Sequence, residues 1–119
     1  MKEKNEVKLE QKGEVTIMNI RGDVTSFSEI PLKDAYQKAL DLNARKIILK
    51  FDQDAYINSG GIALLIQMMH QMRENKQSTA ISGISEHFKK IFNMVGISKF
   101  AHIFDTVENA LEDLGGGVY

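Results

Sequence analysis

Tyr56-Ile57-Asn58-Ser59-Gly60-Gly61 lies between a β-like run and a long helical run, and it sets a hydroxyl beside two glycines where a helix should begin. Such a hydroxyl can attack an acyl group if a base activates it, or it can accept a phosphate from a kinase. Nucleophilic attack calls for a Gly-x-Ser-x-Gly elbow and a histidine in recognisable relation to it; this stretch has neither. Phosphorylation is physically easier to accommodate. The first N–H groups of a helix are unpaired and carry partial positive charge, so the turn tolerates an added anion. Phosphoserine brings about −1.5 to −2 charges at neutral pH, and a partner docked over the same spot would meet that charge and bulk. A coupling on the order of 1–3 kcal/mol changes an affinity 5- to 150-fold. Gly60 and Gly61, without side chains, leave the backbone open to a docking partner. The same residues are also ordinary turn and N-cap formers, so spacing alone leaves a structural reading beside the functional one.

Little else in the chain suggests catalysis or ligand chemistry. The 119 residues contain no cysteine, which removes disulfides, thiol catalysis and thiolate metal sites. His70, His87 and His102 have no ligand spacing with one another or with a carboxylate pair, so no metal is expected. Asp52 and Asp54 resemble the acceptor loop of a receiver domain, but Val7 to Gln11 lacks the acidic pair that would hold Mg²⁺. No Gly-x-x-x-x-Gly-Lys phosphate loop is present. The expectation is a protein that is not an enzyme and carries no cofactor. The net charge of −1 gives no whole-molecule field for nucleic acid or an anionic membrane. The nearly apolar run Ile62–Met69 includes Gln67 and is too short to span a bilayer. Met1 to Glu6 has no apolar segment of the signal-peptide kind. A cytoplasmic protein, monomeric or weakly dimeric, is expected.

The elements that must position the turn follow from periodicity. Val7 and Leu9 alternate with Lys8 and Glu10 as a half-buried strand. Gln11-Lys12-Gly13 reads as a hairpin turn and Glu14–Arg21 as the second strand, with Val15 and Ile17 facing one way and Thr16, Met18 and Ile20 the other. Gly22-Asp23 breaks the pattern. Ser28 is the expected N-cap of a helix that holds Pro31 in its first turn and runs to about Leu42. Lys46–Phe51 is a strand covered on both faces, Ile48 opposite Ile47, Leu49 and Phe51. The helix after the turn carries Ile62, Leu65, Ile66 and Met69 on one stripe and Leu64, Met68 and Met72 on a second. Met68, Met69, Met72 and Met94 are core filler; exposure of Leu64, Met68 and Met72 as a patch beside the turn is the alternative. Thr79–Ser82 is a short strand. Ser85 caps a helix packing through Phe88, Ile91, Phe92 and Val95, with Gly96 as a left-handed C′ residue and Ile97 folding back. Phe100–Phe104 is a weak fifth strand. Asp105-Thr106-Val107-Glu108 reads as a capping box before a helix with Val107, Ala110, Leu111 and Leu114. Residues 115–119 form a loose tail. The whole chain, 1–119, is one α/β domain: a mixed, mostly parallel sheet of four to five strands, opened by a β-hairpin, with about four helices packed against it.

This order resembles the STAS domain of bacterial anti-sigma factor antagonists, from about Val7 to Leu114. The residues that carry the resemblance are Gly22-Asp23 after the second strand, Ile57-Asn58-Ser59-Gly60 against the family's Asp-Ser-Ser-Gly or Asp-Ser-Thr-Gly turn, Val95-Gly96-Ile97, and Ala110-Leu111. The chain departs from the family at Ile57, where an aspartate is usual, at Asn58, where a serine is usual, and at Thr25, where a second acid often follows. The resemblance implies a module that binds an anti-sigma factor with serine-kinase activity, is switched off by phosphorylation of the last hydroxyl residue of that turn, placed here at Ser59, and is restored by a phosphatase. Asp23, Asn58, Ser59, Gly60, Gly61 and Ile62 would form the partner surface. A STAS scaffold or transport-associated subunit that works without phosphorylation is the alternative.

Overall fold

The computed structural model describes residues 5–115. Strand β1 (Glu6–Lys12) and β2 (Val15–Arg21) form an antiparallel hairpin. Its loop is the two residues Gly13 and Glu14, one position later and shorter than periodicity suggested. Gly13 takes φ 59°, the left-handed geometry that a type II′ hairpin needs at its first loop position and that matches strand twist. The chain continues as α1 (Glu29–Asp41), β3 (Lys46–Phe51), α2 (Ser59–Glu74), β4 (Ser78–Ser82), α3 (Glu86–Met94), β5 (His102–Phe104) and α4 (Val107–Asp113). The strands lie in chain order, with β2 to β5 all parallel. It is a mixed five-stranded sheet with four α-helices, as expected.

The sheet separates two apolar layers. On one face Met18, Ile20, Ile47, Leu49, Phe51 and Ile81 pack under side chains of α1, α2 and α3, among them Tyr36, Leu65 and Phe92. On the other, Val15, Ile17, Ile48 and Ala80 meet Ala110, with Val107, Leu111 and Leu114 partly buried around it. The alternation in β2 and β3 therefore falls as the sequence dictates, and among the described residues α4 covers the second face. Phe51 and Phe92 meet edge to face at 6.3 Å, a favoured aromatic geometry. A buried polar strut ties α1 to the end of α2. The Tyr36 hydroxyl donates to Gln77 Oε1 at 2.7 Å, Gln77 Nε2 donates to the Ala44 carbonyl at 2.9 Å, and Asn75 Nδ2 donates to the Tyr36 oxygen at 2.9 Å. Burial pushes the Tyr36 hydroxyl pKa up, the Asn75 bond opposing it.

Several local readings are corrected. Ser28 makes no side-chain cap for α1. Its hydroxyl is turned inward, accepting from the Thr25 N–H at 3.0 Å and donating to Asn5 Oδ1. Thr25 instead caps a 3₁₀ turn, Ser26–Ser28, which precedes α1. Thr106, not Asp105, caps α4, accepting from the Asn109 N–H at 3.0 Å. Met68 and Met72 are core filler as expected, at 7 % and 0 % exposure, so the second stripe of α2 is not a surface patch, whereas Met94 is 81 % exposed and outside the core. Val95 is exposed rather than packed. Ser85 does cap α3, and Gly96 is left-handed (φ 86°) with Ile97 buried behind it. Of the expected loose tail, Gly115 ends α4 with φ 80°, and residues 116–119 lie outside the described residues.

Candidate functional site

The turn before α2 is held by the loop after β2. Val24 and Ile57 form an isolated parallel bridge, with the Val24 N–H donating to the Tyr56 carbonyl at 2.9 Å and the Asn58 N–H to the Val24 carbonyl at 3.1 Å. Asp23 Oδ1 accepts from the Tyr56 N–H at 2.9 Å, so this exposed acid, expected at the partner surface, also fastens the two loops together. Asn5 Nδ2 binds the carbonyls of Arg21 and Asp23 at 2.9 and 2.6 Å. Asp52 accepts from the Gly22 N–H at 3.0 Å and lies 3.9 Å from Arg21. Its carboxylate braces the loop instead of forming part of a receiver-like acidic cluster.

Within the turn each expected residue has a distinct place. Asn58 is the N-cap of α2, its Oδ1 accepting from the Gly61 N–H at 2.9 Å while its carbonyl accepts from the Ile62 N–H. Ser59 is the first helical residue and exposed. Among the described residues its hydroxyl has no hydrogen-bond partner. Gly60 lies against Ser26, where a Cβ would stand 3.1 Å from the Ser26 Cβ and N. Gly61 is buried, and a Cβ there would stand 2.2 Å from the Val24 carbonyl oxygen. That glycine admits the protein's own Val24 loop rather than an outside molecule, contrary to the reading of both glycines as an open approach. Ile62 is half-buried on the core.

Ile57 is 3 % exposed among the apolar side chains under α1 to α3. An aspartate in that slot would bury a charge, which is strongly disfavoured. The neighbouring register, Asn58-Ser59-Gly60-Gly61 against Asp-Ser-Ser-Gly, suits the geometry. Asn58 performs the capping that an aspartate would perform, and Gly61 is the position with no room for a side chain. In that register the last hydroxyl slot of the turn falls on Gly60, and Ser59 occupies the preceding one.

The exposed apolar side chains near the turn are Phe27 at 72 %, Ile30 at 72 % and Tyr56 at 60 %. Periodicity gave them no role. Phe27, an aromatic among hydroxyl residues ahead of α1, was the available signal. Tyr56 leans edge-on against Phe88, with ring centroids 6.0 Å apart. Phe27 and Tyr56 sit on the two segments that the Val24–Ile57 bridge joins. His70 and His102 are exposed, each 3.9 Å from one carboxylate, Glu74 and Asp113 respectively. Among the described residues no three potential ligands gather into a metal-binding group. Among the described residues no helix is long and apolar enough to cross a membrane.

A sequence model of the STAS domain matches residues 6–110. Among solved structures, an anti-sigma factor antagonist from Mycobacterium paratuberculosis superposes with a TM-score of 0.77 at 11 % identity, over 93 % of this chain and 94 % of its own. The Bacillus cell-fate determinant SpoIIAA in its phosphorylated form gives 0.64 at 18 % identity, over 91 % of this chain and 98 % of its own. Its unphosphorylated form, described as an anti-sigma factor antagonist, gives 0.66 at 15 % identity, over 96 % and 99 %. At these identities the structural likeness speaks for the fold. With the sequence match spanning nearly the whole described chain, the protein belongs to the STAS domain family.

Proposed function

We propose that this chain is a cytoplasmic, non-enzymatic regulatory module that docks an anti-sigma factor with serine-kinase activity through the face around Ser59. Phosphorylation of Ser59 releases that partner, and a cognate phosphatase restores binding. Asp23, Asn58, Gly60, Gly61 and Ile62 shape the docking face by holding the turn, and Phe27 and Tyr56 supply apolar contact beside it. The observation that carries this reading is the Ser59 hydroxyl itself. It is exposed, without a hydrogen-bond partner among the described residues, and placed at the N-terminus of a 16-residue helix. Such a group is open to a kinase, and the helix end tolerates the phosphate it would receive. Among the described residues no base bonds the hydroxyl, which argues against a nucleophilic role for it.

A second reading, a STAS scaffold or transport-associated subunit that binds without a phosphate switch, is favoured by one observation. Glycine stands in the last hydroxyl slot of the turn when Asn58 is aligned as its cap. The two readings separate in a binding experiment with the partner recovered alongside the wild-type protein. Ser59→Asp is expected to weaken binding by about 5- to 150-fold, and Ser59→Ala to leave it near the wild-type value. Unchanged binding by Ser59→Asp would favour the unswitched scaffold.

A further inference from the structure

β1 ends the sheet, and among the described residues no strand pairs with its outer side. It is a seven-residue strand, Glu-Val-Lys-Leu-Glu-Gln-Lys, without proline. A strand edge of this length is a template for another strand, and proteins usually blunt it with unmatched charge. Here the charges alternate. Glu6, Lys8, Glu10 and Lys12 share the exposed face, and each lysine has a glutamate two residues before it, with Lys8 3.4 Å from Glu6 and Lys12 3.7 Å from Glu10. These exposed pairs along one strand hold their side chains only weakly.

We propose that two copies of this chain pair antiparallel through β1, centred on Leu9, to make one continuous sheet. A twofold axis at Leu9 sets Glu6 opposite the second copy's Lys12 and Lys8 opposite its Glu10, and the reciprocal pairs follow by symmetry. All four charged positions then face an opposite charge directly across the strands, the arrangement that stabilises a ladder. The neighbouring registers that keep the two sheet faces aligned are repulsive. Centred on Lys8, that lysine meets itself and Glu6 meets Glu10; centred on Glu10, that glutamate meets itself and Lys8 meets Lys12. The strand thus specifies one register and rejects its neighbours. On the opposite face Leu9 meets Leu9, extending a shallow groove lined by Val7, Leu9, Lys38 and Leu42, the last 61 % exposed. The other sheet edge, β5, has only three residues and offers no comparable ladder.

Sedimentation equilibrium on the full chain tests this. The wild type is expected to dimerise, more weakly at 1 M salt than at low salt because exposed charge pairs are screened. Lys8→Glu and Glu10→Lys should each weaken the dimer about tenfold, since every substitution meets its partner twice across the axis. The double variant Lys8→Glu/Glu10→Lys restores opposite charges and should dimerise like the wild type. The register is read independently by oxidation of Leu9→Cys, which in a cysteine-free protein should give a disulfide-linked dimer, whereas Lys8→Cys should not. A wild type that stays monomeric, equal dimerisation by all charge variants, a double variant no better than the singles, or cross-linking through position 8 instead of 9 would each overturn the proposal.

Discussion

Ile57→Asp is expected to lower stability to urea by at least about 4 kcal/mol, whereas Asn58→Asp should leave it within about 0.5 kcal/mol of the wild type. The two positions are adjacent and the new side chain is the same, so the difference isolates the environment. Ile57 is 3 % exposed and packed in the main core. Its replacement removes apolar burial, leaves a void, and sets a carboxyl among apolar side chains. The neighbouring Asn58 oxygen already accepts the Gly61 N–H at the head of α2. An aspartate there keeps that bond and adds a negative charge where the helix end favours one. Equal losses at both positions would mean that the turn does not have the register found here, and that Ile57 is not the buried member of it.

Gly61→Ala is expected to be the next most damaging change, at roughly 2–3 kcal/mol and a fall in Tm of about 10 °C. In an exposed helical position alanine would be preferred to glycine by about 1 kcal/mol. At Gly61 the sign reverses, because the new Cβ would stand 2.2 Å from the Val24 carbonyl oxygen and 2.6 Å from its carbon. Those are backbone atoms fixed by the Val24–Ile57 bridge, so the loop after β2 must move away from α2 and take the Asp23–Tyr56 bond with it. Gly60→Ala is the control. Its Cβ would come no closer than 3.1 Å to Ser26, and the helical preference for alanine offsets the crowding, so thermal unfolding should change little. A Gly61→Ala protein as stable as the wild type would show that the two loops are not locked together.

The strands and helices were legible because their signals are local. Lys46–Phe51 has its two faces written in the order of its side chains, and Ser85 and Gly96 mark the ends of α3 by capping chemistry alone. What was misread depends on contacts between distant residues. Ser28 has the side chain of an N-cap, but its hydroxyl is satisfied by Thr25 and by Asn5, 23 residues away. Met94, read as core filler from its side chain alone, is 81 % exposed. The position of the turn was legible in Asn58-Ser59-Gly60-Gly61, while its register was not. Only the bridge from Val24 makes Ile57 a core residue and Gly61 a point of close approach. The same bridge sets the segments that carry Phe27 and Tyr56 side by side.

Ser59 phosphorylation is the claim on which the switch rests, and intact-mass spectrometry with peptide mapping, on protein isolated from its own cells, tests it most directly. The switch predicts a fraction heavier by one phosphate that maps to Ser59 and changes with growth or stress conditions. Protein unmodified under every condition, or a phosphate confined to another residue, would contradict it and leave the face around Ser59 as an unswitched docking surface.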